Sequence, residues 1–441
     1  VKKRSQQHLL AREHMLQWLG VAMQRTGMEV DKTELWTHSI LLEQKAEEKL
    51  SACREIVGQE FNPQSHQQMQ RLLFEDWNLP PHHYSEKTGE PSTDDTTLRV
   101  MLTQYGLEEE KAELVRAVRA YRKASKLLGT YIRPLLRSGV SRVHPSYNRL
   151  PATGRYSSSN PNMQNVPYSL RDIFIPKEGH LLIGADMNQL EMRLIAEEAE
   201  ARNSLRIINK GLDPHNETME VVYGKGIWEM PGSPSDRLSK GSGTFKATRD
   251  ITKNVRYAWQ YAASTKRIHE QVVSVEDDEG NLIYAHMQIE YVRQIVEGLK
   301  RADPEIPQWW RRTENKYRKQ GYIGDTLWDR RRYFRNEDKI NELVNHPIQS
   351  GGVHIVHEAM IELFYGPQDW FATEALESPG VILPVEWLIN HGHDALYLEV
   401  PEDKAEETSA LLEKAMNRQR VINPLLVYTA ESAIGSRWTE V

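Results

Sequence analysis

"VEWLINHGHDALYLEV", Val385 to Val400, places a carboxylate between two apolar runs. "WLI" and "ALYLEV" have the β-branched and aromatic content of short strands, and "NHGHD" between them has turn chemistry. Two strands meeting at a tight junction would hold Asp394 rigidly at the edge of a sheet, within reach of a metal ion. Taken alone, a turn that contains an aspartate is the simpler reading. The question is whether the chain supplies a partner.

The candidate partner is Asp186, in "GHLLIGADMNQLEMRLIAEEAE" (Gly179 to Glu200). "LLIGAD" reads as a short buried strand, and a helix is expected from Gln189 onward. Two strand-end aspartates from distant parts of a chain form the expected ligand set for two divalent ions in phosphoryl transfer. Carboxylate oxygens are hard ligands suited to magnesium, and ions ~3.5–4 Å apart clamp the attacking and leaving oxygens together. Glu191, five residues on, is placed to support that set from the helix. Either aspartate by itself is equally a turn or a helix cap.

A third segment weighs on the same side. In "RDITKNVRYAWQY", Arg249, Lys253, Tyr257 and Tyr261 recur every four residues, so they share one helix face. Cations can hold a triphosphate, and an aromatic ring can stack on a base or sugar. A solvated helix whose tyrosines pack inward is the plainer alternative.

The 441 residues suffice for a large core and more than one domain. Charged residues make up 27% and hydrophobic ones 39%, ordinary values for a globular protein. No apolar run approaches the ~20 residues of a membrane span, so no membrane partner is expected. Cys53 is the only cysteine, which excludes intrachain disulfides and thiolate zinc clusters and suits a reducing, cytoplasmic compartment. The net charge of −6 does not announce a nucleic-acid binder, but its distribution does. From Leu114 to Arg171 there is no Asp or Glu, while Arg116, Arg119, Arg122, Lys123, Lys126, Arg133, Arg137, Arg142, Arg149, Arg155 and Arg171 are present. Such a local positive field holds phosphate backbones; a solvated basic face or a site for an acidic partner would look the same.

The periodicity predicts helices over the first ~60 residues. A loop is expected over His83 to Asp95, then a helix from Thr97 and Leu98. A long helix over "KAELVRAVRAYRKASKLLGTYIRPLL" should break between Gly129 and Pro134. "GRYSSSNPNMQNVP" (Gly154 to Pro167) reads as a surface loop, the region from about Ala201 to Gln320 as mainly helical, and "GYIGDTLWDRRRYF" as a hairpin with basic residues. The last quarter alternates helix and strand. No internal repeat is present.

These segments together resemble the polymerase domain of the family A (DNA polymerase I-like) DNA polymerases, over nearly the whole chain. "TGRYSSSNPNMQNVP" is similar to the family's template-primer loop. "ADMNQLEMR" and "HDALYLEVP" are similar to its two catalytic aspartate motifs, "RDITKNVRYAWQY" to its nucleotide-binding helix, and "NHPIQSGG" to a segment near the primer terminus. "LDPHNETM" and "GYIGDTLWDRRRY" follow in the same order. The resemblance implies an α+β right-hand fold. The N-terminal edge of the palm would span 1–25, a helical thumb 26–145, an antiparallel-sheet palm 146–200 and 341–441, and helical fingers 201–340. It implies template-directed DNA synthesis with release of pyrophosphate. Asp186 and Asp394 would hold two magnesium ions, with manganese as a substitute, and Lys253 would protonate the pyrophosphate. Arg249, Lys253, Tyr257, His215, Glu191 and Gln189 would contact the nucleotide, Glu191 by crowding the sugar 2′ position. Arg155, Asn162, Asn165, Tyr261, Asn345, Gln349 and His393 would hold the primer-template. The implied partners are primer-template DNA, deoxynucleoside triphosphates and replication accessory proteins, met by a monomer.

The departures from the family pattern are specific. Ala395 stands where the motif usually reads His-Asp-Glu, Ala262 where a glycine follows the tyrosine, and Met187-Asn188 where an aromatic and a serine are usual. Tyr257 occupies a position that is often phenylalanine; tyrosine there goes with ready acceptance of dideoxynucleotides. The chain begins at valine, as a fragment or processed product would, with what resembles the edge of the palm. No 3′–5′ exonuclease activity is expected from these residues. A two-metal nuclease, a reverse-transcriptase-like enzyme and an inactive DNA-binding scaffold are the rival readings.

Overall fold

The computed structural model describes residues 6–85, 87–277, 282–334, 340–377 and 379–441. Residues 1–5 of the expected palm edge lie outside them. The chain divides into two compact units, one of residues 1–31, 141–265 and 292–441, the other of 32–140 and 266–291.

The larger unit is built on a four-stranded antiparallel sheet. Its strands are β1 (His180–Met187), β2 (Leu388–His391), β3 (Ala395–Pro401) and β4 (Ala430–Gly435), in the spatial order β2-β3-β1-β4. β1 is an inner strand, and its run Leu182–Ala185 is buried, which is why it reads as a continuous apolar stretch. Opposite residues across antiparallel strands share a face. Asp186 pairs with Ala395 on one side and with Glu431 on the other, so all three project from one face. The other face is covered by the helix Ala405–Met416, whose Ser409 Oγ lies 2.9 Å from Ser432 Oγ. Gly184 is required on the aspartate face: a Cβ there would lie 3.1 Å from the Tyr397 ring and 3.0 Å from the Val441 backbone.

Five helices of this unit bear on the site: α1 (Gln6–Thr26), α2 (Leu190–Ala199), α3 (Pro214–Tyr223), α4 (Gly243–Gln260) and α5 (Ile340–Tyr365). α5 is apolar around nearly its whole circumference, and Leu343 to Phe364 are buried almost throughout, so it forms the core of this unit. It approaches α2 closely because Gly352 has no side chain; a Cβ there would lie 3.2 Å from Leu190. Asp213 caps α3, accepting from the backbone N–H groups of His215 (2.9 Å) and Asn216 (2.8 Å). The expected hairpin near Arg330 is present as Ile323–Gly324 paired with Arg331–Arg332.

In the smaller unit the helices Lys32–Val57 and Glu109–Leu127 pack around Cys53, Phe61, Met69, Leu73, Leu98 and Val118. Arg119 is almost buried and pairs with Asp95 (2.8 Å) and with Glu276, tying 266–291 to these helices.

Three sequence expectations are corrected. Val385–Trp387 is a single 3-10 turn, and the strand starts at Leu388. The helix through Gly129 does not break: a π turn, Leu128–Ile132, carries it into Arg133–Ser138, and it ends at Gly139 (φ 65°). The wider π turn accommodates Pro134, which sits where its missing N–H is tolerated. The acid-free stretch from Leu114 to Arg171 also carries less free charge than its sequence suggests. Arg119, Arg142, Arg149 and Arg155 are paired with carboxylates brought in from elsewhere in the chain, and Arg122 donates to the carbonyls of Pro63 and Thr93. Lys123, Lys126, Arg133 and Arg137 are exposed.

Candidate active site

The junction that opened the sequence reading is a tight turn between β2 and β3, with Gly392, His393 and Asp394 in it. The Met187 N–H donates to the Asp394 carbonyl (3.1 Å), extending the β1–β3 ladder one step past Ala395. That bond brings the two aspartates side by side, close enough for each carboxyl group to feel the other. Burial and the neighbouring Asp394 charge push the Asp186 carboxyl up to about 7, and burial raises Asp394 as well. Two adjacent carboxyl groups held at neighbouring strand ends are hard oxygen donors that crowd negative charge into one place, a donor set that fits hard divalent ions.

β1 turns into α2 through Gln189, held at φ 52° in the left-handed region that a non-glycine residue rarely enters. This sharp turn puts Glu191 in the first turn of α2, where it joins three segments. Its carboxylate accepts from Arg155 Nη2 (3.2 Å), on the 154–167 loop, and from the Tyr261 hydroxyl, at the end of α4. Burial and the Glu191 charge push the Tyr261 phenol well above its ordinary value. The 154–167 loop is fixed near the aspartate turn from a second side. Asn162 caps the turn Met163–Asn165, and Gln164 Nε2 donates to the His391 carbonyl (3.0 Å). His393 lies beside Asp394, open to solvent at its edge but crowded by the surrounding chain; that partial desolvation and the Arg155 charge lower its proton affinity.

α4 presents its four-residue stripe as expected, but the members differ. Arg249 is buried and committed: Nη2 bonds Asp213 Oδ2 (2.6 Å) and Nε bonds Asn216 Oδ1 (3.0 Å), so it ties α4 to the cap of α3. Lys253 makes no ion pair among the described residues; its ammonium stands 6.0 Å from the centroid of the Tyr257 ring. Tyr257 packs 5.6 Å from His215, centroid to centroid. Burial and the charges of Arg256, Arg249 and Lys253 hold His215 down to about 2, so its ring is neutral, and its Nδ1 has no partner among the described residues. Asn345 and Gln349 lie near the start of α5, both half-buried, and Asn345 Oδ1 has no partner among the described residues.

What lies beneath has no local signature in the chain. Tyr156 packs edge-on to His357 (5.4 Å) and tilted against His391 (5.2 Å), with the Arg149 guanidinium 4.7 Å from its ring centroid. Arg149 pairs with Glu13 of α1 (2.7 Å), and Arg149, Arg12 and Arg330 hold Glu13 down to about 2 despite its burial. Arg256 carries no local signal either. It is buried on the same side of α4 as Arg249, facing α3, where it bonds the Pro214 carbonyl (2.9 Å) and Thr218 Oγ1, and it also bonds Ser204 Oγ (2.8 Å). These partners become neighbours only in three dimensions, so no spacing rule finds them.

Fold and site together define a polymerase-type α+β domain. The solved POL domain of Pol1 from M. smegmatis, in complex with DNA primer-template and dNTP, has the same fold. It superposes with a TM-score of 0.76 over 97% of this chain and 70% of that one, at 22% identity. The family model for DNA polymerase family A matches residues 32–440, and the chain belongs to that family. Among curated relatives, the thermostable DNA polymerase I of Thermus filiformis is 29% identical over 439 residues, 95% of this chain and 46% of that protein. DNA polymerase I of Pseudomonas aeruginosa is 28% identical over 438 residues, 95% and 42%. The chain thus spans about half the length of the curated relatives it matches. No helix among the described residues is long and apolar enough to cross a membrane.

Proposed function

We propose that this chain carries out template-directed DNA synthesis, adding deoxynucleotides to a primer 3′-hydroxyl and releasing pyrophosphate. The observation that carries the reading is the pairing of Asp186 with Asp394 at adjacent strand ends, in the same unit as a helix bearing Lys253 and Tyr257. Asp186 and Asp394 would hold magnesium, or manganese in its place, which supplies a lowered pKa at the attacking hydroxyl and neutralises developing negative charge.

The chain's own residues do the rest. Lys253, unpaired and adjacent to Tyr257, binds the triphosphate and carries the proton that the departing pyrophosphate needs. Neutral His215 offers a ring N–H to a phosphate oxygen without adding charge. Tyr257 stacks on the nucleotide. Arg249 holds α4 against the cap of α3 in the state described and reaches phosphate only by leaving Asp213. Glu191 exchanges partners in the same way: while Tyr261 donates to it, the tyrosine occupies the templating position, and its release frees both groups. Gln189 fixes the turn that presents Glu191. Arg155, Asn162, Asn165, Asn345, Gln349 and His393 hold the primer-template, and template pairing, rather than base-reading side chains, sets specificity.

In the right-hand description the thumb spans 26–145, the palm 1–25, 146–200 and 341–441, and the fingers 201–340. The protein works on primer-template DNA as a cytoplasmic monomer, with replication accessory proteins as further partners. Incubation with primed DNA and primed RNA templates separates the readings. Extension on DNA supports synthesis, extension only on RNA supports a reverse transcriptase, and shortening without extension supports a nuclease and overturns the proposal.

A further inference from the structure

The segment "PGSPSDRLSKGS" (231–242) leads into α4 with no helix or strand of its own. Its ends are pinched together, the Ser242 N–H donating to the Gly232 carbonyl (2.8 Å). At its tip Asp236 Oδ1 accepts the N–H groups of Leu238 and Ser239, each at 2.7 Å. Leu238, its one large apolar side chain, is exposed, so polar contacts hold the loop rather than a core of its own. One set lies on the surface, where Arg237 pairs with Glu217 (2.7 Å) and Glu220 of α3 and covers the Trp228 ring. Such solvent-open pairs hold weakly. The other set is buried. Asn216 of α3 is fully buried, and its Nδ2 donates to the carbonyls of Arg237 (3.0 Å) and Ser239 (2.9 Å).

The same amide faces Arg249. Its Oδ1 accepts from Arg249 Nε (3.0 Å), while Asp213 Oδ2 takes Nη2 (2.6 Å). A guanidinium only donates and a carbonyl only accepts, so these three neighbours admit one orientation of the Asn216 amide. Asn216 and Asp213 grip one edge of Arg249, and the loop grips Asn216 from the other side. When Arg249 departs, the buried Oδ1 loses its donor, and the amide regains one only by turning away from the loop carbonyls.

We propose that Asn216 is a positioning residue that makes the 231–242 loop respond to nucleotide: it holds Arg249 while the loop is docked, and the triphosphate that draws Arg249 away loosens the loop. This rests on the proposed role of Arg249 as a phosphate ligand. The link is reciprocal, so whatever the docked loop adds to the hold on Arg249 is subtracted from nucleotide affinity. Two substitutions separate it from a structural role. N216A removes both the acceptor and the tie to the loop, so Arg249 leaves more readily. N216D keeps an acceptor, now charged, and sets it against two carbonyls, so Arg249 is held harder while the loop is pushed off.

The test is hydrogen exchange across 232–242 in the complex with a primer-template whose primer ends in a dideoxynucleotide, with and without the matching dNTP. The dNTP dissociation constant is measured beside it by titration calorimetry. In the unaltered protein, exchange in the loop should rise roughly threefold or more when dNTP is added. N216A should exchange at the raised rate with or without nucleotide and bind dNTP roughly threefold to tenfold more tightly. N216D should show the same raised exchange but bind dNTP severalfold more weakly. Loop exchange that does not change on nucleotide binding overturns the inference. So does a shift of dNTP affinity in the same direction in both variants, which marks a structural role. R249Q distinguishes the two levels. If it binds dNTP as tightly as the unaltered protein, Arg249 is no phosphate ligand and the link falls with that role. If it binds more weakly while the loop stays unresponsive, the link alone fails.

Discussion

Asp186→Asn should stabilise the metal-free protein at pH 8. The folded carboxyl titrates at about 7, above its ordinary 3.8, so between those values the native state holds a proton that the unfolded chain has already released. Stability contributed by this group is therefore full below pH 4 and is lost as pH rises through about 7. At pH 8 the native state confines two neighbouring negative charges, and asparagine removes one while keeping the shape. A rise from 3.8 to about 7 corresponds to roughly 4 kcal/mol undiluted. The Asp186 residue as a whole is open to solvent and its carboxyl is only partly shielded by its neighbours, so screening leaves on the order of 1 kcal/mol, or about 1–3 °C in a chain of this size. Thermal unfolding in EDTA at pH 8 and pH 5 reads this directly: the variant should melt higher at pH 8, and the gap should narrow to less than half at pH 5. Added magnesium should reverse the order at pH 8, because only the unaltered protein gains from binding. A variant that melts lower at pH 8 in EDTA, or by the same margin at both pH values, would refute the electrostatic account of the pair.

Arg256→Leu should lower stability by about 2–4 kcal/mol, seen as a reduced urea midpoint, because the buried Pro214 carbonyl and the Thr218 and Ser204 hydroxyls lose their donor. Ala262→Gly should stabilise by about 1 kcal/mol: Ala262 sits at φ 59°, where an L side chain is strained and glycine is not. A neutral or destabilising result in thermal unfolding would count against that. Tyr257→Phe should raise discrimination against dideoxynucleotides in mixed-substrate extension by tenfold or more, since the phenolic hydroxyl is the only group removed and the ring packing against His215 is kept.

Much of this architecture was readable in the chain because it rests on local rules. The apolar run "LLIGAD" is an inner strand, the four-residue stripe of α4 is a helix face, and the turn "HGHD" is a β junction with Asp394 in it. What escaped depends on partners that only folding brings together. Arg142, Arg149 and Arg155 read in sequence as part of a basic field, and the carboxylates that pair with them, Glu399, Glu13 and Glu191, come from distant segments. Arg249 reads as a phosphate ligand from spacing, yet Asp213, thirty-odd residues away, already holds it. The grouping of 266–291 with 32–140 follows from Arg119 meeting Glu276, a pairing with no local signature. The π turn at Gly129 shows the opposite failure: Gly and Pro are strong punctuation in sequence, but the buried Leu128, Tyr131 and Ile132 keep the helix going.

The central claim is that Asp186 and Asp394 together form the catalytic centre. The most direct test is single-turnover extension of a primed DNA template by Asp186→Asn and Asp394→Asn, with duplex affinity measured in parallel. Each variant should lose extension by at least a thousandfold while binding the primed duplex within a fewfold of the unaltered protein. Extension that survives in either variant would contradict the account.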